Sequence, residues 1–158
     1  SYTNGNSGVF TVSSQFDNGA RVDVINGNDY LGSFAVSGGQ VDVSAVDNSL
    51  TTAEIGFSFP IELKTNPLDI QSGSGPTTGM LRGVGRVILD LNNTLSISVN
   101  NKVLQTRNVT DDFSVARTPI TGKKEMRLLG YSRDPQITIT QSAPLSVQVN
   151  SIIAEVQI

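Results

Sequence analysis

The chemistry open to this chain rests on carboxylates, hydroxyls and amides, because His, Cys and Trp are absent from its 158 residues. Without His, a Ser-His-Asp triad and His-based metal sites lose a required member. Without Cys, zinc fingers, iron–sulfur clusters and thiolate nucleophiles are excluded. Carboxylates are the first remaining candidates. Asp111 and Asp112 are adjacent, so in a strand they point to opposite faces. Asp17, Asp23, Asp29, Asp42 and Asp47 are spread through the first third of the chain. None of these spacings fits a calcium loop, which needs oxygen ligands at alternate positions closed by a Glu. Two carboxylates flanking a glycosidic bond would suffice for sugar hydrolysis. Clefts of that kind use stacking aromatics, however, and aromatics make up only 6% here. The stretch GMLRGVGR (79–86) has glycines but no Gly-Lys-Ser/Thr ending, and a strand follows it where a phosphate loop has a helix. Asn92-Asn93-Thr94 and Asn108-Val109-Thr110 match the glycosylation sequon, a short pattern frequent by chance. The residues therefore predict no catalytic, cofactor-binding or metal-binding site, and a protein that is not an enzyme.

Composition narrows the partners. Net charge is -3. The basic residues, among them Arg82, Arg86, Lys102, Arg107, Arg117, Lys123, Lys124, Arg127 and Arg133, are mostly scattered. Sequence-independent nucleic-acid binding needs them clustered, so that counterions are displaced together. No apolar run approaches the roughly 20 residues that span a bilayer. The start, SYTNGNSGVF, is polar and lacks the basic region of a signal peptide. Ser1 stands where a reading frame would place Met, which predicts a processed product or a piece of a longer protein. A chain without cysteine is silent about redox compartment.

The elements follow from periodicity. Val, Ile, Thr, Ser, Asn and Gly dominate, and alternation is far commoner than a helical period. Val22 and Val24 share one face of a strand over 21–25. Asn26-Gly27 predicts a turn, residues 30–36 a return strand, and Gly38-Gly39 a second turn before Val41 and Val43. Ile55, Phe57 and Phe59 alternate in the most apolar strand of the first half. Pro60 cannot donate to a ladder, and Ile61 and Leu63 resume the pattern out of phase, which predicts a strand end, a bulge or a bend between sheets. The irregular stretch 65–83 contains QSGSGPTTG (71–79), read as a surface loop or as one that orders against a neighbouring subunit. VGRVILDL (84–91) predicts a central strand, Asn92-Asn93 a turn, and Leu95, Ile97 and Val99 a strand paired with it. Asn100-Asn101 turns into a return over 102–105. Phe113 and Val115 leave a short strand open, and Thr121-Gly122 turns into a strand that buries Met126 and Leu128. Near the end, Ile137 and Ile139 alternate. Leu145, Val147 and Val149 then hold the inner face, followed by Ile152, Ala154, Val156 and Ile158 with opposite parity. A strand cannot exchange faces without an extra residue, so a bulge or bend is predicted at Asn150-Ser151. The fold class is all-β: an antiparallel β-sandwich or partly open barrel over 55–158, with a small antiparallel meander over 1–54 packed into the same module.

Several segments, taken in order, carry a resemblance. FDNGARVDVINGNDYLGSFAVSGGQVDV (16–43) is similar to a "G-x-x-V-x-V-x-x-x-G" strand followed by a Gly-Gly turn. IGFSFPIELKTNPLDI (55–70) resembles "VGLPYTS-x-L-x-T-x-PL-[ED]", with Ser58-Phe59-Pro60 in place of Pro-Tyr-Thr. A Gly-rich loop then leads to GRVILDL, followed by Thr121-Gly122, RDPQITITQSAPLSVQV and IIAEVQI. Ala143 stands where a polar or charged residue is frequent. From about Phe16 onward, this order resembles the C-terminal module of the tail nozzle proteins of short-tailed bacteriophages, also called tail tubular protein B, and related modules of podovirus tail-hub proteins. The resemblance implies a structural virion protein of the phage tail, as the distal part of a longer chain. It implies a six-fold ring (a hexamer) whose lumen is the DNA exit channel. It further implies partners among the tail adaptor, fibre or spike proteins and a plug, with phage DNA passing during ejection without specific binding. A negative wall would then repel DNA and let it slide. The alternative from a different class is a glycan-binding or glycan-cleaving β-sandwich of a phage tail, with Tyr2, Tyr30 and Tyr131 available to stack on sugar.

Overall fold

The computed structural model describes all residues except 5, 6, 70, 73, 74, 77, 78, 108, 109, 113, 114 and 158; residues 71, 72 and 76 are described by their backbone alone. Among the described residues there is no helix. All strand pairings are antiparallel, and no sheet closes into a barrel. The all-β expectation holds, and the antiparallel sheets are consistent with a β-sandwich. The chain divides into two compact units. The first contains Ser1–Pro60 with Thr110–Arg117 and Ser142–Leu145; the second contains Ile61–Val109, Thr118–Gln141 and Ser146–Ile158. The chain thus leaves the first unit at Pro60, later than the expected division at 54, because residues 52–56 pair with a strand of the first unit.

The first unit holds β1 (Tyr2–Thr3), β2 (Val9–Thr11), β3 (Arg21–Asn26), β4 (Asp29–Ala35), β5 (Gln40–Asp42) and β6 (Thr52–Gly56). One sheet runs β1-β6-β3-β4, and β2 pairs with β5. Phe10, Val22, Val24, Val36, Val41, Val43, Leu50 and Ala53 form its core. Each alternates with a more exposed neighbour, as a sheet with one wet face requires. The β3–β4 turn falls on Gly27-Asn28, one residue later than expected. Gly27 takes φ +59°. That is the first-position glycine of a type II′ hairpin, and it makes Asn26 the last strand residue. Gly38 and Gly39 both have positive φ between the paired Ser37 and Gln40, as a type I′ turn requires. Strand β6 stops at Gly56, so Phe57 and Phe59 lie beyond it, 56% and 83% exposed. They do not continue the buried face that alternation predicts. Of the alternatives open at Pro60, the chain takes the passage between sheets: β6 and the strand that begins at Ile61 belong to different ones.

The second unit holds β7 (Ile61–Lys64), β8 (Gln71–Ser72), β9 (Gly75–Pro76), β10 (Arg82–Thr94), β11 (Ser98–Val99), β12 (Lys102–Val103), β13 (Ile120–Arg127), β14 (Tyr131–Ser132), β15 (Thr138–Gln141) and β16 (Val149–Gln157). Strand β10 is central: β13 and β14 pair along it, and so does β16. A second sheet runs β12-β11-β15-β7. Val84, Val87, Leu89, Leu91, Met126 and Leu128 from the first sheet share one core with Ile97, Val99, Ile137 and Ile139 from the side of the second. Short strands β8 and β9 pair with each other within the stretch read as a loop; most of QSGSGPTTG lies outside the fully described residues.

Bulges set the parity of this unit. Ser151 opposes Asp90 and Val149 opposes Leu91, so Asn150 is the extra residue. This is the face change predicted from the tail. Val149 lies on the core side before the bulge, and Ile152 and Ala154 after it. Leu145 falls in the other unit, and Ile158 lies outside the described residues. Three features depart from expectation. Asn92-Asn93 is no turn but a bulge inside β10, opposite Thr121, with Asn93 at φ +48°. Thr121-Gly122 likewise sits within β13. Leu95, Ile97 and Val99 are buried as predicted, but the strand is only Ser98–Val99, and it pairs with β15 and β12 on the opposite sheet and not with β10. Asparagine tolerates the left-handed region, so it marks bulges as readily as turns. Asn100-Asn101 does form the predicted two-residue turn, both residues having positive φ. Phe113, of the strand left open there, lies outside the described residues.

Candidate functional site

A grouping of polar side chains beside an aromatic ring lies on the wet face of the first unit's sheet. Val22 and Val24 point into the core, so Asp23 and Ile25 point out. Register places Glu54 opposite Ile25 and Gly56 opposite Asp23. A Cβ on Gly56 would meet nothing within 4 Å, so the space beside Asp23 is open. Tyr30 donates its hydroxyl to Asp23 Oδ1 at 2.7 Å, and Ser58 Oγ donates to Asp23 Oδ2. The Tyr30 hydroxyl is pushed up to about 12. The hydrogen bond to Asp23 is the main cause, followed by burial and the Asp23 charge, with Arg21 opposing. Phe57 leans against Phe16, ring centroids 5.3 Å apart and planes tilted 58°. Asp23, Glu54, Phe57 and Ser58, with Ile25 and Pro144, line a cleft of about 220 Å³. Its chemistry is that of acceptors beside an aromatic surface. Both Asp23 oxygens already accept hydroxyls, so the carboxylate ties β3, β4 and the segment after β6 together.

The other sequence candidates do not join this cleft. Asp42 accepts from the Ser44 hydroxyl and amide, and Asp47 does the same with Ser49. Each serine hydroxyl, then its amide, holds the carboxyl below the usual carboxylate range. Asp29 pairs with Arg117 at 3.3 Å. Asp17 accepts through its backbone carbonyl from Ala20, and Asp111 and Asp112 are exposed. No three acidic side chains group as metal ligands among the described residues. Tyr2 accepts from the Ser13 amide, while Tyr131 is exposed on β14 in the second unit. In the first sequon Thr94 is fully buried and Asn92 bonds Gln148; the second lies partly outside the described residues.

Sequence reading missed Arg82. It begins β10 with only 1% of its surface exposed. Its guanidinium donates to the Leu68 carbonyl at 2.7 Å, to Asp69 Oδ1 at 2.6 Å and to the Arg133 carbonyl at 2.7 Å. The planar fork thus pins the segments on either side to the head of the central strand. Parity was the available signal: Arg82 and Val84 share a face, and Val84 is buried. Gly85 then forms a bulge, and Arg86 emerges on the wet face with Glu155 at 2.7 Å and Glu125 at 3.4 Å.

The second unit also exposes apolar surface. Ile61 and Leu63 on β7 are 53% and 50% exposed. They line a groove of about 430 Å³ with Ile139, Val147, Val149 and Ile152. No protein-family model matches this chain, and no curated protein matches it.

Proposed function

We propose that this chain is a structural module of a short-tailed phage tail nozzle, part of a ring around the DNA exit channel and in contact with fibre or plug proteins. The observation that carries the reading is how the chain spends its polar and apolar side chains. Asp23, Asp29, Asp42, Asp47, Arg82 and Arg86 are engaged in holding turns and strands together. Phe57, Phe59, Ile61 and Leu63, at alternate positions, are all at least half exposed. Large apolar side chains repeated at the surface favour contact with protein. The ordered motifs that resemble the nozzle module and the -3 charge, which would repel DNA, support the same reading. Mass spectrometry of purified virions tests it. Peptides of this chain should stay with the tail fraction after the DNA is released; their absence from the particle would overturn it.

One observation favours the glycan reading. Phe57 stands half exposed beside Asp23, Glu54 and Ser58, an aromatic face next to hydroxyl acceptors. On that reading a glycan array gives reproducible binding that Phe57→Ala abolishes. Binding unaffected by that change places any sugar elsewhere.

A further inference from the structure

We propose that β7 joins two copies of this chain, pairing antiparallel with its own copy about a two-fold axis at Leu63. The inference goes beyond the tail reading and does not depend on it. Among the described residues strand β7 ends its sheet, with β15 on one side only, and all four of its residues are exposed. The Thr65 amide donates to the Ile137 carbonyl, directly across the ladder, at 2.9 Å. Hydrogen-bonded positions alternate along an antiparallel pair. Ile61, Leu63 and Thr65 therefore bond toward β15, and the N–H and C=O groups of Glu62 and Lys64 point to the open edge.

An added antiparallel strand must match those groups, which leaves three symmetric registers near the strand centre. Glu62 opposite Glu62 sets like charges together and places Pro60, which has no N–H, against Lys64. Lys64 opposite Lys64 again opposes like charges. The third places Glu62 opposite the second copy's Lys64, twice, with Leu63 meeting Leu63 on the axis. It satisfies the backbone and forms two opposite-charge pairs, each stabilising across a sheet. A lysine alone on an edge strand keeps other strands away; here Glu62, two residues earlier on the same face, reverses that effect. Ile61 and Leu63, on the other face, carry the apolar groove to the axis, so pairing covers its open side.

Sedimentation of the full 158-residue chain over a concentration series tests this. The expected result is a dimer whose dissociation constant rises on the order of tenfold in Lys64→Glu. The double exchange Glu62→Lys with Lys64→Glu should restore it, because the same pairs re-form reversed. The chain has no cysteine, so a single introduced thiol is unique. Leu63→Cys should form an interchain disulfide under mild oxidant, since facing residues at such a position lie about 4.5 Å apart, within disulfide reach. Ile61→Cys should not. A chain that stays monomeric throughout, a double exchange that fails to recover the dimer, or equal cross-linking at 61 and 63 would each overturn the proposal.

Discussion

Arg82 is the residue on which the second unit's order most depends. An isolated buried charge is costly, and this one is offset by two carbonyls and Asp69. Arg82→Ala should destabilise by about 3 kcal/mol or more, read by urea unfolding. Asp69→Ala should cost less, about 1–3 kcal/mol, since it leaves the buried guanidinium its two carbonyls but no counter-charge. Tyr30 gives a pH signature. Its hydroxyl is raised from 10 to about 12 by Asp23. A raised folded value stabilises fully below the unfolded value, and the contribution is lost as pH climbs from about 10 to 12. Tyr30→Phe should therefore cost about 1 kcal/mol near neutrality, discounted for solvent, and should flatten the stability profile over that alkaline window. Asp42 and Asp47 work in the opposite sense: their depressed values favour the fold above the carboxylate range and cease to do so as pH falls through it. Neither Arg82's burial nor the Asp23 grouping was legible as a site. Each depends on which residues a register brings opposite, and single-residue types do not carry that.

At the scale of elements, parity was the readable quantity. Counting faces along the tail located the Asn150 bulge, because Val149 and Ile152 both had to reach one core. Deleting Asn150 should put one of these sets on the wet face and unfold the unit cooperatively at 37 °C, whereas Asn150→Gly should be tolerated; circular dichroism melts distinguish the two. Glycine packing gives a second contrast. A Cβ on Gly83 would meet the Gly130 carbonyl oxygen at 2.8 Å, and backbone cannot move aside cheaply. Gly83→Ala should cost about 2 kcal/mol, while Gly56→Ala, with open space around it, should change stability by about 0.5 kcal/mol or less. Asn92-Asn93 misled because turns and bulges draw on the same left-handed conformation. Phe57 and Phe59 misled because alternation reports a strand's two faces but not where pairing stops; β6 ends at Gly56 and leaves both rings outside.

For the molecule as a whole, class was legible and assembly was not. Alternation without a helical period, with Asn and Gly at the turns, is enough to specify antiparallel sheets packed around Val and Ile. Which sheet a strand joins depends on long-range pairing: Ser98–Val99 pairs in the opposite sheet, while Leu95, Ile97 and Val99 keep their buried pattern. The proposed place in a phage tail is supported by a motif resemblance and by exposed apolar residues, which makes location the quantity to measure. Electron cryo-microscopy of a purified particle that contains this chain would do so directly. The expected result is density for both β-units repeated around the tail axis below the portal, with Phe57 and Phe59 against neighbouring protein. Density in the capsid shell, or a tail that lacks this chain, would contradict it.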